Sequence, residues 1–243
     1  MSDIVAAIGA AAIPSTIVAA VATSAPSPTA ETLRQRLVGR LVIVEPLAAE
    51  HEPGLIEAAS EPALFRWMPV DMASSPDAVR RWLEAALEGA GTGREVPFAI
   101  LDAGSGRVLG STRFLELRFE HRRVEIGWSW LARSAWSTGA NVETKLLLIG
   151  HALEQAGCRR VEFKTDARNE RSRGALLALG AQFEGILRKH MVVRGGGARD
   201  SAYYSVIDDD WPALKPRLER RRDEHLARRL DPERAVLPAD QRH

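Results

Sequence analysis

The sequence predicts an α/β domain in which a mixed, mostly antiparallel sheet is flanked by helices. Two observations carry this. Three β-rich runs, 96–101, 108–117 and 124–131, follow one another through connections of hairpin size, the pattern of an antiparallel meander. After them come a strongly patterned helix, a strand, a second helix and two more strands, and this alternation places helices on the sheet faces. At 243 residues the chain is long enough for one such domain with appendages. Its 45% hydrophobic content supplies a core and excludes a disordered or fibrous class.

Arg40 to Val44 reads as the first strand, closed at Pro46 because proline has no N–H for a ladder bond. His51 to Ser60 is a weak helix. Ser75 to Ala90 is a better one: Pro76 stands in the first turn, Val79, Trp82, Leu83 and Leu87 share a face, and Gly89, Gly91 and Gly93 end it. The turn DAGSGR separates the first two strands of the meander. Asn141 to Ala156 is the clearest helix, with Val142, Leu146, Ile149 and Leu153 in one stripe and Gly157 as the stop. Val161 to Thr165 is a strand, Glu170 to Leu179 a helix ended by Gly180, and Phe183 to Val193 and Ser201 to Ile207 the last two strands. The order is βαα-βββ-α-β-α-ββ, with no internal repeat. The expected domain spans residues 36–212.

Thirty-three Lys and Arg nearly balance 32 Asp and Glu, so no whole-molecule field draws in phosphate backbones or acidic membranes, and no stable nucleic-acid or membrane partner is expected. Cys158 stands alone, which excludes an intrachain disulfide and a Cys-pair metal site and fits a cytoplasmic location. Residues 1–35 form an Ala/Ser/Pro-rich extension. Ile4 to Ala22 is nearly uncharged, yet no Lys or Arg precedes it and Pro14 interrupts it, so a mobile extension or an upstream start codon is favoured over an export signal. Residues 213–243 mix nine Lys or Arg with six Asp or Glu, the pattern of a solvated helix whose loss should spare the chemistry.

Chemistry concentrates in Val124 to Gly150, where a strand, a turn of small residues and a strong helix follow in order. The first amides of a helix lack internal partners, and the peptide dipoles add partial positive charge there. Ser137, Thr138, Gly139 and Ala140 are small enough to let a phosphate approach, and Asn141 can cap the helix. The alternative is an ordinary capped helix. No GKS or GKT end is present, so the turn is not a Walker loop. Glu125, on the strand ahead of the turn and alternating with Val124, Ile126 and Trp128, is the candidate base, directly or through water; a salt-bridged structural glutamate is the alternative.

On these residues the chain resembles the GNAT superfamily of acyltransferases, in particular the branch of bacterial ribosomal-protein N-terminal acetyltransferases. The resemblance runs from about Arg40 to Trp211. The family's pyrophosphate turn (Gln or Arg, two residues, Gly, one residue, Gly or Ala) matches Ser134 to Gly139: the final glycine is kept, while Ser134 and Ser137 depart from it. A second match is RVEFKTDARNERSRGALLALGAQF from Arg160, which contains the family's Asn-x-x-Ser pair as Asn169 and Ser172.

The resemblance implies the GNAT acyl-CoA N-acyltransferase fold, acetyl-CoA as cosubstrate, direct transfer in a ternary complex and no metal. It implies a pantetheine contact for Asn169 and a thiol contact for Ser172, which would return the proton. It further implies thioester binding by backbone near Trp130 and Leu131, and phosphate contacts from Arg133 or Arg168. Trp128 lines either the core or the acyl channel. The acceptor is a protein N-terminal amine on resemblance; a lysine or a small amine drawn by Glu57, Glu61 and Asp71 stays open, as does a homodimer. A competing class is a CoA-binding regulatory module without transfer. Ser172, His190 and Asp200 are residue types of a hydrolase triad, but no GxSxG elbow surrounds the serine, and His121 and His151 receive no role.

Overall fold

Among the described residues eight strands join in one sheet in the order β1-β2-β3-β4-β5-β6-β8-β7, and every neighbouring pair is antiparallel except β5 with β6. The computed structural model describes residues 27–231. The strands are β1 (Leu37–Val38), β2 (Val42–Pro46), β3 (Val96–Asp102), β4 (Val108–Arg118), β5 (Arg123–Leu131), β6 (Arg160–Asp166), β7 (Gln182–Val192) and β8 (Ala198–Ile207). The helices are α1 (Ala30–Leu33), α2 (Glu52–Ala58), α3 (Pro76–Gly91), α4 (Ala140–Gly150), α5 (Glu170–Leu179) and α6 (Trp211–Leu230). Among the described residues no helix is long and apolar enough to cross a membrane.

Alternation along the strands gives the sheet two apolar faces. Val96, Phe98 and Ile100 of β3 point to the core shared with α1, α4, α5 and α6, while Ala99 points to the core under α2 and α3. The expected meander is β3-β4-β5. Its first turn is tied by Asp102, whose carboxylate accepts the amides of Gly104 and Ser105 at 3.1 and 2.9 Å. Ser75 caps α3 by accepting the Ala78 amide at 3.1 Å. The helix expected to run on to Ala156 is regular to Gly150 and widens into a π turn over His151–Gln155.

Three expectations are corrected. The extension drawn as 1–35 ends earlier, because Leu33 is fully buried and the Thr32 carbonyl lies 2.9 Å from His151 Nε2. The rest of that expectation, with the export-signal question, falls on residues 1–26, outside the described residues. The charged segment after Pro212 is not a free solvated helix: Trp211, Leu214 and Leu218 of α6 are buried against the α4 side of the sheet. Finally, Trp128 does not share a face with Val124 and Ile126. Between the pairs Arg113↔Gly127 and Ser111↔Trp130, one residue of β4 opposes two of β5, a β-bulge with Trp128 at φ +51°. The extra residue reverses the alternation, so Val124 and Ile126 face α4 while Trp128 and Trp130 face α2 and α3.

Candidate active site

The parallel pair at the centre of the sheet is short. β5 and β6 are in register only through Arg123↔Arg160, Val124↔Val161 and Glu125↔Glu162. Beyond that point β6 stays paired with β8 as far as Asp166↔Ser201, while β5 turns away at its bulge, so a gap opens between the two strands. A bulky residue in the left-handed region costs about 1–2 kcal/mol. At Trp128 the neighbours hold it there: the Arg113 guanidinium lies between the Trp82 and Trp128 rings at 4.8 and 4.7 Å, and its Nη1 donates to both Glu95 oxygens at 2.8 and 3.0 Å.

The reversed alternation aims Ser129 at the α4 side of the gap, where it is exposed. Lys145 reaches it from α4, Nζ donating to Ser129 Oγ at 2.7 Å, and Ser129 Oγ in turn lies 2.7 Å from Thr112 Oγ1. The Phe163 ring of β6 is 5.8 Å from the ammonium. Burial pulls this lysine's pKa down to about 7. Sequence reasoning missed Lys145, although a signal was there: it stands three residues after Val142 and four before Ile149, inside the apolar stripe.

At the far end of the gap the loop enters α4. Gly139, at φ +91°, is the N-cap residue; Asn141, expected there, is instead the second helical residue and exposed. Thr138 Oγ1 donates to Ala135 O at 2.8 Å and accepts the Ala140 amide at 3.3 Å. The first bond of the helix runs from the Glu143 amide to Gly139 O at 3.0 Å, so the Asn141 and Val142 amides precede the intrahelical ladder. Ser137 takes the left-handed conformation at φ +61°. Ser137→Gly is therefore expected to raise stability by about 0.5–1 kcal/mol, read as a higher urea midpoint.

Two cations gather at the loop: Arg133 and Arg171, the latter from the first turn of α5, lie 5.0 and 3.1 Å from the Trp136 ring. Trp136 Nε1 donates to Leu131 O at 2.9 Å, which fixes that ring. Arg171 joins the loop to α5 across the gap, a contact the sequence did not reveal. On the other side the loop meets α6. A Cβ on Gly139 would lie 2.5 Å from His225 Cβ and 2.8 Å from Leu41 Cδ1, so packing alone requires glycine there. Ser134, Ser137, Thr138 and Ala140 share with Arg107, His225, Arg228 and Arg229 a cleft of 350 Å³. Arg229 pairs with Asp102 at 2.8 Å and is the main reason that carboxyl is held down to about 2.

Glu125 is buried on the paired part of β5. Burial raises its pKa, opposed by Lys164, whose Nζ is 3.1 Å from Oε2. The residue is thus a salt-bridged carboxylate with raised proton affinity. It lines an open cavity of 510 Å³ with Glu116, Glu162, Arg123, Lys164, His190 and Tyr203. Burial lowers the His190 pKa, favouring its neutral form, and Nδ1 lies 3.1 Å from Ser201 Oγ. These carboxylates do not include the early acidic set: Glu57 pairs with Arg107 at 3.7 Å and Asp71 with Arg194 at 3.3 Å.

Asn169 is the N-cap of α5, Oδ1 accepting the Ser172 amide at 3.1 Å, and Ser172 is half-buried in that first turn. Trp130 belongs to the core, its ring 5.4 Å from Phe65 and 6.1 Å from Trp82, so only its backbone remains for a substrate. Arg168 is not with Arg133: it binds Asp166 at 2.8 Å and lies 5.3 Å from the Trp67 ring. His190 bonds Ser201, and Asp200 accepts the Lys189 amide at 2.7 Å, which leaves no triad with Ser172. Among the described residues no group of three or more His, Cys, Asp or Glu could hold a metal.

A sheet whose central parallel pair splays beside a helix entered through a turn of small residues is the architecture of acyl-CoA N-acyltransferases. The chain belongs to the GNAT acetyltransferase family: the profile described as "Acetyltransferase (GNAT) domain" matches residues 40–182. It is similar to a GCN5-related N-acetyltransferase from Brucella melitensis, 31% identical over 80% of this chain and 86% of that one, with a TM-score of 0.73. A T. thermophilus protein assigned to the acetyltransferases is 39% identical over 77% of this chain and 96% of its own, with a TM-score of 0.69. Among curated proteins, the uncharacterized N-acetyltransferase YoaA of Bacillus subtilis (strain 168) is 28% identical over 114 residues, 47% of this chain; the match spans 63% of that relative's length.

Proposed function

We propose that this protein transfers an acetyl group from acetyl-CoA directly to a primary amine. The observation that carries this reading is the gap between β5 and β6, closed at one end by the Glu125↔Glu162 register and opening toward the loop that enters α4. In this reading the amides of Asn141 and Val142, with Arg133 and Arg171, hold the diphosphate, and the pantetheine arm follows the unpaired edge of β5. Ser137, Thr138, Gly139 and Ala140 form the turn beside it. The backbone at Trp130 and Leu131 faces the thioester, and Asn169 and Ser172 border the arm from α5. Glu125 takes the acceptor's surplus proton, directly or through water.

The acceptor enters by the cavity that Glu125 lines, where Glu116 and Glu162 stand with Arg123 and Lys164. The preferred acceptor is a protein N-terminal amine, on the resemblance to the ribosomal-protein branch. The deciding assay is CoA thiol release with acetyl-CoA and a panel of N-terminal peptides, lysine peptides, polyamines and aminoglycosides, with products identified by mass. Acetylated peptide N-termini are expected. Acetylation confined to small amines would replace the acceptor, and CoA binding without transfer to any amine would favour a regulatory module.

A further inference from the structure

One ammonium is buried in the gap between β5 and β6, and among the described residues no carboxylate is in ion-pair reach of it. Lys145 touches the Ser129 hydroxyl at 2.7 Å and faces the Phe163 ring, and burial lowers its proton affinity. The charged groups on the surrounding elements are engaged elsewhere. Glu143, on α4 itself, binds the amides of Arg40, Leu41 and Val42, and Arg222 of α6 lies 3.9 Å from it. Glu125 of β5 pairs with Lys164 of β6, and Glu45 of β2 with Arg36 and His51. The side chains that α6 buries near α4 are Trp211, Leu214 and Leu218, which carry no charge. From β4 comes Thr112, through its contact with Ser129.

We infer that Lys145 supplies, through the Ser129 hydroxyl, the proton that the leaving sulfur takes when the thioester breaks. This rests on the acetyl-transfer reading above, which places the thioester in the gap. The acceptor nitrogen bonds to the acetyl carbon, the C–S bond breaks and its electron pair goes to sulfur. Ser129 gives its proton to sulfur and receives one from Lys145. The acceptor's surplus proton leaves by Glu125 or water, and neutral Lys145 is reprotonated from solvent at the exposed Ser129 before the next turnover. An ordinary lysine, at about 10.4, is a weaker acid than a thiol at about 8.5 and would serve poorly. Burial reverses that order here, because it brings Lys145 to about 7. Ser129, in place of the Ser172 to which the family resemblance pointed, is the group that meets the sulfur, and Lys145 acts through it.

The test compares wild type with Lys145→Met, Lys145→Arg and Ser129→Ala, using acetyl-CoA and an amine that wild type acetylates. Wild-type kcat should fall on the basic side as Lys145 loses its proton, with a limb near 7. Lys145→Met should lose about a hundred-fold or more in kcat and lose that limb, with KM for acetyl-CoA little changed. Lys145→Arg should not restore the rate, because a guanidinium keeps its proton. Ser129→Ala should fall by a similar factor, and it decides the question by itself if Lys145→Met does not fold.

A Lys145→Met or Ser129→Ala enzyme that keeps both kcat and the basic limb overturns this inference alone, as does full rescue by arginine. A wild-type protein that binds CoA and acetylates no amine overturns the transfer reading and this one together.

Discussion

Glu143→Ala is expected to remove about 3–5 kcal/mol of stability, the cost of leaving buried partners of a charged group unpaired. Glu143 is fully buried in the first turn of α4, and its carboxylate accepts three backbone amides, from Arg40 at 2.9 Å, Leu41 at 2.5 Å and Val42 at 2.8 Å. Its position near the helix N-terminus also suits a negative charge. Alanine would leave the three N–H groups beneath α4 without the carboxylate that they donate to. Glu143→Gln keeps one acceptor oxygen and should cost less. A urea denaturation series gives the ordering Ala, then Gln, then wild type. Because the same carboxylate clamps the first turn of α4, CoA affinity should fall in parallel with stability. A Glu143→Ala protein unfolding within about 0.5 kcal/mol of wild type would show that the three amides find other partners.

The fold was largely legible where the period was long enough to read. The β3-β4-β5 meander, α3 and α5 showed themselves through alternation, caps and glycine stops. α1 and β1 are four and two residues long, too short to display any period, and they are held by Leu33 and by pairing with β2. In α6 the interleaved charges masked Trp211, Leu214 and Leu218, three buried side chains at helical spacing.

The site was legible in part for a related reason. The turn from Ser134 to Gly139 announces itself by small residues, but His225, which packs on Gly139, and Arg171, which meets Trp136, come from distant segments. One consequence is that any side chain added at Gly139 would strike His225 of α6. The bulge at Trp128 exists only in the register between β4 and β5, and without it Ser129 would not point toward Lys145. Local patterning thus marks the turn of small residues, whereas the Lys145–Ser129 contact depends on strand register, which a single strand does not encode.

Glu125→Gln is expected to lower kcat by about a hundred- to ten-thousand-fold, the usual contribution of a positioned general base. Glutamine is nearly isosteric and keeps one oxygen toward Lys164, so the cavity wall should survive. The pH dependence separates a base from a structural carboxylate. Burial raises the Glu125 pKa above the ordinary glutamate value, with Lys164 working against it, so on the acidic side wild-type kcat should climb with pH as this carboxyl ionises, before the fall on the basic side that Lys145 brings.

The variant should lack that acidic limb, with KM for acetyl-CoA little changed, since Glu125 lies on the paired side of the gap, away from the loop. Stability carries the opposite sign. A carboxyl whose folded pKa is raised is most at home protonated, so its contribution is present below the unfolded value and lost as pH rises through the folded one. Wild type should lose stability across that window, and Glu125→Gln should not. A variant with wild-type kcat and an unaltered acidic limb would assign the proton to water or to another group, and leave Glu125 as the partner that holds Lys164 against the wall of the acceptor cavity.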